Sequence, residues 1–410
     1  MTPEVKERIE QIRHGIVPKG YRRTKTDIVP QEWNDTPIAP YLCEYIEKTT
    51  IPNQHPVLTS ARKGLMLQTE YYSNRQVTTE DNVGYYVLPY GYVTFRSRSD
   101  DGRFRFNENK IIERGIISYF YPVFSFSPEV CHAYMLQLLN ETIYRRLYPY
   151  IEGTAQQVLS MKKLGQLVYT LPPLSEQQRI ASVLVHQDRV IELKEKLLAE
   201  KQRQKKYLMQ QLLTGRMRLP GFDGGWMYVR ANQIFRNVTD KKHNGTLEVL
   251  SATQDRGIIP RSLVDIDIKY AEESLTGYKK VVKGNFVISL RSFQGGIEYS
   301  EYSGIVSPAY TVLSSIYPIE DSYYRQFFKS TDYINRLNIA VYGIRDGKQI
   351  SYNDFGRIRI PYPPLDEQKA IAAVLETADK EIEILKRNIE QEKQKKKALM
   401  QLLLTGIVRV

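Results

Sequence analysis

LPPLSEQQRIASVL, residues 171–184, returns as YPPLDEQKAIAAVL, residues 362–375, and the two runs continue in step to KKYLMQQLLTG (205–215) and KKKALMQLLLTG (395–406). Between Leu171–Leu219 and Tyr362–Val410, 22 of 49 positions are identical without a gap at an offset of 191 residues. Chance does not produce such a match, so the chain is a duplicated half, built to do one thing twice. Each copy opens on Pro-Pro, which cannot continue a helix backwards. Ser175 and Asp366 then stand as N-cap candidates, and Ser175 with Gln178 fits a capping box. Further on, Leu375, Ile382, Ile389 and Leu403 fall at heptad spacing, with Ala378, Leu385 and Leu399 as the second seam position. Leu184, Ile191, Leu198 and Leu212 repeat that seam in the first copy, with Val183, Val190 and Leu197 beside it. Gly215 and Gly406 are placed to close the helices. About 39 residues at 1.5 Å each predict two rods of roughly 58 Å. The simplest arrangement pairs them antiparallel and holds the globular units apart.

The stretches outside the repeat share a vocabulary of their own. GYYVLPYGYVTFRSRS and GIISYFYPVFSFS read as strands and PEVCHAYMLQLLNETIYRRL as a helix. GYKKVVKGNFVISLRS, GIVSPAYTVLSSI and SYYRQFFKSTDYINRL repeat the theme after the first long helix. Gly91 to Arg96 stands against Gly284 to Arg291, and Trp33 against Trp226. The expected fold is therefore α+β: two similar mixed α/β domains separated by two long helices in an antiparallel coiled coil, with pseudo-twofold symmetry. The boundaries expected are a partial repeat at 1–15, a first domain at 16–170, a helical region at 171–219, a second domain at 220–361 and a second helical region at 362–410.

The 410 residues carry a formal net charge of +12 and 11% aromatics, enough for two or three domains with real cores and pointing to a polyanionic partner. Neither a signal peptide nor a run of about 18 apolar residues is present, so a cytoplasmic location without membrane attachment is expected. Cys43 and Cys131 are too few for a disulfide framework and lack metal-ligand spacing; both read as buried small hydrophobes. Catalytic signatures are missing. Gly347-Lys348-Gln349 is no Walker loop, there is no HExxH or GxSxG, and His14, His55, His132, His186 and His243 do not cluster. Asp265-Ile-Asp267-Ile-Lys269 superficially matches a nuclease metal site but reads better as a strand. No catalytic or metal-ligating residue is expected.

The pattern of a globular unit, PPL-x-EQ, a long helix ending in LLTG, and then all of it again resembles the specificity subunit of type I restriction–modification systems. The motifs are Pro172 to Gln177 with Pro363 to Gln368, and Leu212 to Gly215 with Leu403 to Gly406. Val5 to Gly15, followed by VPKGYRR, Pro30 and Trp33, resembles a truncated third helix end, as in the circularly arranged repeats of that family whose chain ends meet. The resemblance implies target recognition domains spaced by helical regions that bind two methyltransferase subunits, here through Glu176, Gln177, Ile180, Leu184, Glu367, Gln368, Ile371 and Leu375. It also implies that double-stranded DNA is the ligand, that S-adenosylmethionine is carried by the methyltransferase partner and not by this chain, and that motor–nuclease subunits join the full complex. The other reading is a self-sufficient DNA-binding or coiled-coil adaptor without an enzyme partner.

For DNA contact the residues offer Arg96, Arg98, Arg103 and Arg105 around Asp100-Asp101-Gly102, and Gln156 and Gln157 in a following loop. The second half offers Lys279, Lys280 and Arg291, with Arg345, Lys348 and Gln349 where the first half has its amides. Arg and Lys neutralise phosphates, Arg suits guanine and Gln suits adenine by geometry.

Overall fold

The computed structural model describes residues 2–24, 27–72, 81–147, 157–264, 272–340 and 350–410. Two compact units emerge: residues 1–193 together with 389–410, and residues 194–388. The Asp265–Lys269 stretch lies outside the described residues.

In the first unit a four-stranded antiparallel sheet runs in the order Phe106–Glu108, Val93–Phe95, Val123–Phe126, Leu42–Glu44. One face is filled by Phe95, Phe106 and Phe124 and covered by the helix His132–Leu147, which buries Tyr134, Met135, Leu138, Leu139 and Ile143 at helical spacing. Two hairpin-like pairs flank it, Leu58–Ala61 with Gly64–Leu67 and Tyr86–Pro89 with Arg114–Ile117. The same parts recur in the second unit. Its sheet runs Phe235–Val238, Thr311–Ser315, Phe286–Ile288, Glu298–Tyr299, and Leu250–Thr253 pairs with Gly257–Pro260 as Lys279–Val281 does with Gly304–Val306. One helix of the first unit becomes two in the second, Asp321–Phe328 and Thr331–Ala340. Ser330 makes the break, its carbonyl and hydroxyl accepting from the backbone N–H groups of Ile334 and Tyr333, as a helix start requires.

Backbone hydrogen bonds fix the correspondence between the units. Gly91 N–H donates to Asn109 and Gly284 N–H to Ser300, and the residue after each glycine accepts from the same position on the neighbouring strand. Val93 therefore matches Phe286, and Arg96 matches Ser289; Arg291 falls two residues beyond the position expected for it. Cys43 is exposed and Cys131 half-buried, which corrects the expectation that both are buried. Cys43 lies on an edge strand of the sheet, where alternate side chains face water.

The long helices are Leu174–Leu212 and Leu365–Leu403. They start one residue earlier than the caps expected, so Ser175 and Asp366 lie in the first turn. Pro173 and Pro364 carbonyls accept the first helical N–H bonds instead. Within the first unit the start of the central helix, Ile180, Ala181 and Leu184, packs with Met400, Leu403 and Leu404 from the end of the C-terminal helix. Asp188 pairs with Lys396 at 2.6 Å. In the second unit the roles exchange: Leu212 and Leu213 pack with Ile371, Ala372 and Leu375, and Lys201 and Lys205 pair with Glu381 and Asp379 at 2.7 and 2.6 Å. Each pairing is antiparallel. Leu197, expected beside the seam, is exposed instead.

Gly215 and Gly406 end the helices with φ of +70° and +72°; their N–H groups bond to the Leu212 and Leu403 carbonyls, and those of Met217 and Val408 reach back to Gln211 and Leu402, so the left-handed glycine lets the last carbonyls of each helix find donors. Gly15 closes the short helix Pro3–Arg13 with φ +71°. The chain ends do meet: the Tyr21 hydroxyl accepts from Arg8 and donates to the Gly406 carbonyl at 2.9 Å. A Cβ on Gly406 would lie 2.5 Å from Pro30 Cδ and 3.1 Å from the Trp33 ring, whereas one on Gly221, φ +88°, meets nothing. Gly406→Ala should cost about 1–2 kcal/mol for its left-handed backbone and more for the contact, against the backbone penalty alone for Gly221→Ala. Denaturant unfolding of the two variants, compared with wild type, checks the difference.

Candidate nucleic-acid interface

The four arginines placed near Asp101 by sequence face one concave surface. A cleft of about 450 Å³ is lined by Arg96, Arg98, Arg103 and Arg105 together with residues of the hairpin 58–67 and three tyrosines, Tyr71, Tyr72 and Tyr121. A second cleft of about 620 Å³ shares Arg96, Arg98, Tyr72 and Tyr121 with it and extends to Tyr119 and Phe120. Asp101 organises the turn between the arginines. Its carboxylate accepts from Ser99 Oγ at 3.0 Å, Arg103 N–H at 3.2 Å and the Arg62 guanidinium at 2.6 Å. Desolvation works to raise the Asp101 pKa, but those donors hold it below the ordinary value. Arg98 lies over the Phe120 ring at 4.7 Å and Arg103 over Tyr144 at 5.6 Å, geometry that restrains both guanidinium groups.

Gln157 joins this site through the backbone: Gln157–Val158 pairs with Arg98–Ser99, Gln157 opposite Ser99. Its Oε1 is buried without a hydrogen-bond partner among the described residues. Gln156 lies outside the described residues, as do Arg345, Lys348 and Gln349. Arg62, Lys63, Tyr71, Tyr72 and Tyr121 were not singled out by sequence. The hairpin pairing brings the first four to the arginines from some thirty residues away, and no local signal marks such a contact.

In the second unit the same framework carries different side chains. Gln68 and Arg261 occupy one position, since their N–H groups donate to Val57 and Val249 at the start of matching hairpins. Tyr121 and Tyr310 occupy another, each with its N–H bonded to a serine carbonyl three residues earlier, Ser118 or Ser307. Burial raises the pKa of both hydroxyls, while Arg96 acts to lower that of Tyr121 and Arg261 and Arg291 that of Tyr310. Arg291 is exposed. Lys279 donates to the Tyr310 carbonyl at 2.6 Å and Lys280 lies 3.8 Å from Asp240, so both half-buried ammonium groups have a partner within their own unit.

The residues expected to bind a partner are corrected as well. Glu176, Gln177, Ile180 and Leu184 in the first unit, and Glu367, Gln368, Ile371 and Leu375 in the second, are all at most 3% exposed. They have no surface to offer. Each Glu-Gln instead locks a unit: Glu176 accepts from Trp33 Nε1 at 3.2 Å and from Arg409 at 2.9 and 2.7 Å. Glu367 accepts from Trp226 Nε1 at 2.8 Å and from Arg218 at 2.6 and 2.8 Å. Gln177 and Gln368 each donate to a proline carbonyl, Pro172 and Pro363, and each accept a backbone N–H, from Cys131 and Glu320. The hydrogen bond to Glu367 raises the Arg218 pKa, and that to Glu176 raises the Arg409 pKa. Among the described residues no His, Cys, Asp or Glu cluster could hold a metal, and no helix is long and apolar enough to cross a membrane.

A fold used twice, with a basic and aromatic concave face in the first unit, is the architecture of a nucleic-acid reader. The family model described as the type I restriction modification DNA specificity domain matches residues 40–201 and again 225–393, and the chain belongs to that family. Two Methanocaldococcus jannaschii chains are similar to it. One, designated the specificity subunit of the type I restriction enzyme MjaX, is 27% identical over 299 residues, 68% of each chain. The specificity subunit of MjaVIII is 27% identical over 285 residues, 63% of this chain and 66% of that one. A chain from a structure describing assembly and conformational transition of the type I restriction–modification system has a TM-score of 0.56 at 19% identity, covering 93% of this chain and 99% of that one. The S subunit from M. genitalium has a TM-score of 0.50 at 14% identity, covering 90% and 96%. At those identities the solved structures speak for the fold alone: two mixed units and two long helices.

Proposed function

We propose that this chain is the non-catalytic reader of a type I restriction–modification complex, each unit recognising one half of a bipartite, asymmetric DNA target. The observation that carries this is one strand framework with diverged faces: Arg96 where the other unit has Ser289, Gln68 where it has Arg261. Identical scaffolds with different donors and acceptors suit two half-sites of different sequence. Two methyltransferase subunits dock on the repeated helical segments, through side chains other than the eight buried ones. They bring S-adenosylmethionine and extrude the adenine to be methylated from the duplex, while motor–nuclease subunits complete the cytoplasmic restriction assembly. The +12 net charge supplies salt-dependent attraction to the duplex.

The test is single-molecule methylome sequencing of a host carrying this chain with its partner genes. One modified motif of two fixed, unlike halves around a constant gap is expected. No methylation dependent on this chain, or a single continuous motif, would sink the reading.

A further inference from the structure

The reading of each unit as a half-site reader can be carried to single side chains, because the duplication makes the protein its own comparison. In the first cleft half of the cationic groups are already restrained. Arg62 is paired to Asp101, and Arg98 and Arg103 lie on aromatic rings, which leaves Lys63, Arg96 and Arg105. Of these, Arg96 alone lines both adjoining clefts; its side chain is exposed and has no hydrogen bond, ion pair or aromatic partner among the described residues. It follows directly on the end of the interior strand Val93–Phe95, so its root is rigid while its five N–H donors remain available. Beside it stands Tyr121, a half-buried ring on a Ser-x-x-Tyr turn.

The second unit rebuilds this arrangement by a different route. Ser289, at the position of Arg96, is buried and used in a turn, where its N–H bonds to Ser292 and its hydroxyl accepts the N–H of Arg291. That turn throws the next arginine, Arg291, out to solvent. Its guanidinium is exposed, without a hydrogen bond or ion pair among the described residues, and its charge acts, after that of Arg261, on Tyr310, the counterpart of Tyr121. An exposed guanidinium without a hydrogen bond or ion pair among the described residues, rooted at or just beyond the same strand end, thus occurs in both units, as does the Ser-x-x-Tyr turn, although the arginines come from different positions.

We propose that Arg96 and Arg291 are the specificity-determining residues that each read a guanine in their own half-site. A guanidinium rooted on a fixed strand or turn, with no hydrogen bond or ion pair among the described residues, can present two parallel N–H groups to guanine O6 and N7, the geometry a bidentate contact needs. Restrained Arg98 and Arg103 hold phosphates and set the register of the duplex, contacts that carry no base information.

The experiment is a randomised-site binding selection with the complete methyltransferase complex, comparing wild type, Arg96→Ala, Arg291→Ala and Arg98→Ala, with the melting temperature of each measured alongside. Arg96→Ala should lower discrimination at one guanine of one half-site by roughly 5- to 150-fold and leave the other half unchanged. Arg291→Ala should do the same in the other half. Arg98→Ala should weaken all sites alike and reduce the salt dependence of binding by about one counterion. A motif without guanine in either half overturns the proposal, as does uniform weakening by Arg96→Ala and Arg291→Ala with every base preference intact. A wild-type complex that selects no two-part motif would instead overturn the functional reading on which this rests.

Discussion

Arg218→Ala should destabilise the second unit by about 3–5 kcal/mol, the cost of leaving a buried charge without its partner. Glu367 is fully buried, and the Arg218 fork donates to both of its oxygens at 2.6 and 2.8 Å. Only Trp226 Nε1 would remain, a neutral donor that cannot compensate a carboxylate. Arg409→Ala should act likewise on the first unit through Glu176, toward the lower end of that range because Arg409 is 35% exposed. Each unit carries one tryptophan, hydrogen-bonded to the carboxylate in question, so in a Trp33→Phe background the fluorescence reports Trp226 alone. Denaturant unfolding of Arg218→Ala, Glu367→Gln and the double variant yields the coupling between them. A loss below about 1 kcal/mol for Arg218→Ala would mean that water reaches Glu367 and the lock is weak.

Exchanging residues 220–361 for the matching segment of a relative should replace one half of the methylated motif entirely and leave the other half and the adenine methylation intact. The segment contains the whole four-stranded sheet of the second unit and both of its covering helices. It starts next to Gly221, which has φ +88° and open space around it. Several side-chain contacts cross the junctions. Trp226 donates to Glu367 at 2.8 Å, Gln326 donates to Asp379 at 2.7 Å, the Tyr228 hydroxyl donates to the Thr214 carbonyl at 3.1 Å, and the Gln368 side chain accepts the Glu320 N–H at 2.9 Å. A donor segment therefore has to bring a tryptophan and a glutamine of its own at the places of Trp226 and Gln326, or the hybrid will fail by unfolding and not by misreading. Methylome sequencing of hybrids that keep both residues decides the matter: a change in both halves would show that recognition is not divided between the units.

The difference between the two kinds of residue in this chain is one of range. The repeat, the Pro-Pro helix starts and the Gly215 and Gly406 stops were legible because each is a local signal, set by backbone chemistry over a few residues. The strands were legible from β-branched and aromatic runs for the same reason. The Asp101 turn was read as a cluster of arginines because they are adjacent in sequence. The resemblance places Glu176 and Glu367 at a partner surface because it marks the helical segments as partner-binding without saying which of their side chains are buried. What buries Glu176 is Arg409, 233 residues away, and Trp33, 143 residues away.

Sequence alone determined that this protein is a duplicated, basic, two-unit chain of a recognisable family, since duplication and helix punctuation are written in contiguous residues. Tertiary structure decided which charges are available. It engaged Lys279 and Lys280, buried the Glu-Gln pairs, exposed Cys43, and gathered Arg62, Tyr72 and Tyr121 around Arg96. Availability depends on desolvation and on partners brought together by strand pairing, and neither is encoded in the neighbouring residues of the chain.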